Sequence, residues 1–182
     1  FASGGLLERL RKKLSLISRK KGGKILPAKN TIASVDEDDN VYVGVDFLEA
    51  YGENESLVAG ILAHEWGHMM SDLPKNVDWS HLTWDELFAV RRDEEGDADG
   101  FAGRALFLMG YTPEEMVSFL KEMDRRRKNK KLPSHKYHNH PTRAAILRES
   151  YKAEERAMEM ARKTFFSGKG SQVKIGRIIG AG

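Results

Sequence analysis

The residues with the clearest chemistry lie in Gly60–Asp72, which reads GILAHEWGHMMSD. Inside it, His64-Glu65-Trp66-Gly67-His68 is an HExxH pattern set in an apolar run. On a helix, four residues turn through about 400°, so both imidazoles project from one face about a turn apart. So placed, they can reach one tetrahedral Zn2+, and one zinc per chain is expected. Glu65 stands one step round from His64, where its carboxylate can take a proton from a water polarised by the metal. Many helices carry two histidines by chance, but the flanks argue for a site. Leu57, Val58, Ile61, Leu62, Met69 and Met70 would bury this helix, and buried histidines need partners.

A third ligand must come from another element. Thr83-Trp84-Asp85-Glu86 marks a helix start, with Thr83 as N-cap and Glu86 closing a capping box. The helix is predicted to run to about Met109, with Gly110 just past its end. Its middle, Asp93-Glu94-Glu95-Gly96-Asp97-Ala98-Asp99, is dense in acid. Such clusters are usually solvated. Here Glu95, Asp99 and Ala102 share a stripe with Phe88 and Leu106, and carboxylates on a core-facing stripe must be paired or bound to metal. Glu95 is the natural third zinc ligand, and Asp99, one turn on, can hydrogen-bond a ligand histidine. Glu94 competes with Glu95, because one residue of helix phase exchanges them.

Downstream, Ser134–Pro141 holds His135, Tyr137, His138 and His140, and Pro141 begins a final helix through about Lys163. The segment lacks the carboxylates of a second metal site and is expected to line the zinc cleft. Tyr137, His138, His140 and Arg143 form a pool of groups for a developing oxyanion, His140 first. His140 either contacts the transition state or fills the open position on the metal. The stretch Lys128–Asn139 is expected to control access.

The remaining elements must position these groups. Leu6, Leu7, Leu10, Leu14 and Ile17 follow helical spacing among Arg9, Arg11, Lys12 and Lys13. The stripe fits a helix packed on the core with a solvated basic face; the alternative is an amphipathic helix making peripheral contact with an anionic membrane. Arg19–Lys24 breaks it. Thr31–Val35 and Val41–Val45 read as a hairpin about the turn Asp36–Asn40, which lacks the glycine and terminal glutamate of a calcium loop. An edge strand ahead of a zinc helix can pair with an extended peptide. Asp46–Tyr51 is a short helix or turn, and Asp72-Leu73-Pro74 stops the HExxH helix. His81 is a solvated loop histidine. Thr112 caps another helix with Pro113 at its first position, and Met116, Val117, Phe119, Leu120 and Met123 give its apolar face. The glycine-rich end is a terminal strand or disorder. The chain divides into a basic helix and linker (1–24), a core (25–163) and a tail (164–182), all of one domain.

HEWGH, EEGDADG and HNHP, taken with Gly110-Tyr111-Thr112-Pro113 in that chain order, resemble a gluzincin zinc metallopeptidase. The likeness is to the family of CAAX prenyl proteases and HtpX-like heat-shock proteases, and it spans about Thr31 to Tyr151. The resemblance implies His64, His68 and Glu95 as ligands, favouring Glu95 over Glu94. It also implies Glu65 as catalytic base and Asp99 as the residue that orients a histidine. An arginine after the His-Pro step serves the cleft in that family; Arg143 comes early and Arg148 late. The transmembrane helices of membrane-embedded relatives have no counterpart, so prenylated substrates are not implied. By resemblance, the bacterial envelope is favoured over the cytoplasm.

Composition narrows the rest. Forty per cent hydrophobic and 31% charged residues suit a packed domain, and no apolar run approaches the roughly 20 residues that span a bilayer. There is no cysteine, so thiolate metal sites and disulfides are excluded. A net charge of +3 without interleaved aromatics argues against nucleic-acid binding. No signal-peptide pattern opens the chain, and Phe1 in place of Met points to a processed protein or an excised fragment. The expected fold is α+β: a mainly helical zincin-like domain with a small sheet beside the active-site helix. The expected function is a zinc metalloendopeptidase acting on a protein or peptide substrate, in protein quality control. Two alternatives are a cytoplasmic HExxH protease of one regulator and a non-catalytic, zinc-containing chaperone-like module. An intact Glu65 argues against the second.

Overall fold

The computed structural model describes residues 4–73, 78–131 and 137–175, with side chains through 167. Among these, six helices and a three-stranded mixed sheet make an α+β fold. Its centre is α3 (Glu55–Met69). The Asn54 side chain caps it by accepting the Leu57 N–H, and the run from Leu57 through His64 is buried. A helix apolar on nearly every side must be surrounded. It is, by α1, α4, α5 and the sheet. It stops at Met69, before the expected Asp72, and Lys20 donates to the Met69 carbonyl left at its end, at 2.7 Å. Met70, expected in the core, lies past that end and is exposed.

α4 (Trp84–Met109) carries the predicted capping box at Thr83 and Glu86, and Gly110 closes it in the left-handed region at φ 82°. It crosses α3 backbone to backbone at Gly67 and Ala98. α5 (Glu114–Asn129) begins one residue later than expected. Pro113 is its cap residue, while the Thr112 hydroxyl accepts the Glu114 N–H. It carries Arg126, Arg127 and Lys128 in its last turn and ends at Asn129.

α6 (His140–Ile175) packs its first half on α4 and α5. At Gly103 a β-carbon would run into the Leu147 carbonyl, so α6 approaches α4 as closely as α3 does. The helix passes well beyond Lys163, through much of the expected tail; residues 176–182 lie outside the description.

α1 (Leu6–Ser18) buries Leu7, Leu10 and Leu14 against the core, with Trp66 donating to the Ser18 hydroxyl at 2.9 Å. Its apolar stripe is thus covered by protein at Leu7, Leu10 and Leu14 and partly covered at Leu6 and Ile17. No helix among the described residues is long and apolar enough to cross a membrane.

β1 (Ile25–Ala28), β2 (Ala33–Val35) and β3 (Val41–Gly44) form a sheet in the order β1-β3-β2. The β2–β3 hairpin is the predicted one. Asp36 accepts the Asp38 and Asn40 N–H groups across its turn, where Asp39 takes a left-handed φ. β1, parallel to β3, was not expected from the sequence. α2 (Val45–Tyr51) follows β3 directly. β2 is therefore an edge, and it lies beside α3.

Candidate metal centre and cleft

The close α3–α4 crossing brings four predicted groups together. His64 Nε2 lies 3.2 Å from Glu95 Oε2 and 3.2 Å from His68 Nε2, and His68 Nε2 is 3.5 Å from the same carboxylate oxygen. A tetrahedral ion about 2.0–2.1 Å from its donors holds them about 3.3–3.4 Å apart, so the triangle has the size of one tetrahedral face. This group, largely buried, can hold a metal ion. Glu94 approaches only His68 Nδ1, at 3.7 Å, and pairs with Arg91 outside. Asp93 and Asp97 are exposed, as an acidic helix face usually is.

Behind the triangle, Asp99 is wholly buried and accepts from His64 Nδ1 at 2.8 Å. That bond fixes the tautomer that leaves Nε2 for a metal. Asp99 is in turn gripped by Arg143 from α6, whose Nε and Nη2 donate at 2.6 and 2.8 Å. Arg143 thus reaches the cleft wall, while Arg148 pairs with Glu114 at the surface. Burial opposes the imidazolium of His64, yet hydrogen bonds to Asp99 and Glu95 outweigh it and push the group up to about 9. Burial likewise works against ionised Glu95, but His64 and His68 hold its carboxyl well below the usual range. Two buried carboxylates against one arginine leave this interior short of a cation. A proton on His64 or a metal at the triangle supplies it.

A cleft runs past these groups along β2. Ala33, His64, Glu65 and Tyr137 line it on both sides of the triangle. Toward α5 it opens into a cavity of about 330 Å3 floored by Ile61, Met116, Phe119, Leu120 and Met123. The opposite arm is polar, with Asp36, Arg91 and Glu94. Tyr137 lies under the Arg143 guanidinium, 5.2 Å from its ring centre, and His138 sits beside Gly96. His81 is exposed, bonded to the Asp78 carbonyl. His135 falls outside the described residues.

His140 lines the apolar arm, but it does not join the triangle: its Nδ1 lies 3.0 Å from Asp124 Oδ2. Asp124 had not been singled out in the sequence, where three arginines and a lysine follow it. The signal was its spacing: Asp124 continues the stripe of Val117 and Leu120, the same pattern that marked Glu95. Comparison of the chain with protein-family models, curated proteins and solved structures finds no match.

Proposed function

We propose that the chain is a zinc metalloendopeptidase of zincin type. The observation that carries this is the His64–His68–Glu95 triangle with Glu65 lining the cleft on both sides of it. Two nitrogens and a carboxylate at tetrahedral spacing favour zinc over hard cations, which prefer all-oxygen shells. Zinc bound there supplies a Lewis-acid charge to a water and to a scissile carbonyl. Glu65 removes the proton as that water's oxygen bonds to the carbonyl carbon, then delivers it to the nitrogen as the C–N bond breaks. The substrate lies extended along the open edge of β2, which aligns its backbone by strand pairing. An apolar side chain fills the cavity over Met116 and Leu120. Tyr137 and His140 are the donors offered to the carbonyl oxygen as its charge grows. Arg143 acts chiefly through Asp99.

The test is hydrolysis of an unfolded protein by the zinc-loaded chain, before and after chelation and in Glu65→Gln. Activity should vanish on chelation, return with zinc, and be absent in the variant although it binds zinc normally. Persistent hydrolysis by Glu65→Gln would sink the reading.

A further inference from the structure

We infer that Asp124 is a positioning residue of the cleft, holding the His140 imidazole so that its Nε2 faces the reacting carbonyl. This rests on the peptidase reading above and names a part of that machinery outside the metal centre.

The two residues come from different elements, α5 and the first turn of α6, and both line the apolar arm that contains Glu65. Asp124 is a buried acid at the end of an apolar stripe. It is amply supplied with cations: Lys128 reaches it at 2.9 Å, and Arg127 makes a second pair. The Lys128 bond holds its carboxyl below the ordinary range against the opposing effect of burial, with His140 and Arg127 adding to it. An ionised carboxylate only accepts, so His140 Nδ1 must be the donor in the 3.0 Å contact. That fixes both ring rotation and tautomer. Nε2, for which the described residues offer no hydrogen-bond partner, is left as the ring's polar atom in the cleft. When the ring carries its second proton, Nε2–H can donate to an oxyanion while the Asp124 charge offsets the imidazolium. Lys128 and Arg127 alone would satisfy an acid whose task was to close the end of α5. Asp124 Oδ2 instead takes, beside Lys128, a histidine sixteen residues away.

The experiment uses two readouts on the zinc-loaded chain. The first is the nitrogen-15 spectrum of the His140 ring, which requires no activity. The Nδ1–H form should dominate and should give way to another tautomer or a mixture in Asp124→Asn. The second is a double-mutant cycle on a cleaved peptide. Asp124→Asn should lower kcat about ten-fold or more with KM and zinc content held. It should cost nothing further in a His140→Ala background. A residue that merely braces the fold would cost the same factor in both backgrounds and would lower the melting temperature of both. An equal cost, or a His140 spectrum untouched by Asp124→Asn, overturns the inference. If no peptide is cleaved at all, the peptidase reading fails and the spectrum alone decides the Asp124–His140 link.

Discussion

Gly67 sits against Ala98 with no room for a side chain: a β-carbon on Gly67 would lie 2.7 Å from the Ala98 Cα. The two middle positions of HExxH are often treated as spacers. Here the second of them sets the distance between the helix that carries His64 and His68 and the helix that carries Glu95. Gly67→Ala should force α3 and α4 apart. Overpacking of this kind costs about 1–3 kcal/mol, and a displaced Glu95 should weaken zinc binding as well. Thermal melts with and without zinc test it. An unchanged melting temperature and unchanged affinity would show that the crossing yields easily.

Glu95→Gln should lower zinc affinity by more than the 10- to 100-fold, roughly, that loss of an outer hydrogen-bond partner costs. Glu94→Gln should change it far less, since Glu94 touches only the far nitrogen of His68. Competition with a chelating dye separates the two. A larger loss for Glu94→Gln would mean that the helix phase is off by one residue.

Without metal, the proton on His64 stands in for it. Its folded value of about 9 lies above the ordinary 6.5. The stabilisation is therefore complete below about pH 6.5 and fades as pH rises through about 9, by up to about 3 kcal/mol. The melting temperature of chelated protein should fall across that interval. Zinc affinity should rise across it, because binding must expel the proton. A flat melting profile would rule out His64 as the protonated link.

The apolar arm should set side-chain preference. Met123 is half-buried on its floor, so Met123→Ala enlarges the cavity at modest cost. In a peptide series varied at one position beside the scissile bond, the wild type should favour leucine-sized residues. The variant should shift the aromatic-to-leucine ratio of kcat/KM by about ten-fold, within the range one or two methylenes can discriminate. An unaltered ratio would place the selecting pocket elsewhere.

The gathering of His64, His68 and Glu95 was legible because they repeat at helical spacing on apolar faces. That is a local property, as are the capping box at Thr83 and the stop at Gly110. β1 was not legible. Ile25–Ala28 contains Pro27 and shows no alternation, and it becomes a strand only by pairing with β3 across the hairpin. The hold of Arg143 on Asp99 and that of Asp124 on His140 were hidden for a related reason. Each joins α6 to an earlier helix, and although helical spacing can mark the acid as buried, nothing local names the partner that a distant helix brings to it. The glycine-rich end misled in the other direction: composition spoke for a break where the backbone continues α6 to Ile175.

Arg143 enters the chain 44 residues after Asp99, the acid it grips. A growing polypeptide therefore presents both histidines and Glu95 well before it owns the cation that neutralises the acid behind them. Until α6 docks, Asp99 lacks its guanidinium, and the helices that frame the triangle lack their clasp. Chains truncated ahead of 143 should accordingly hold zinc poorly. Order of synthesis then makes the triangle a late arrival: its three side chains are made early, but the clasp behind them closes only when α6 is in place.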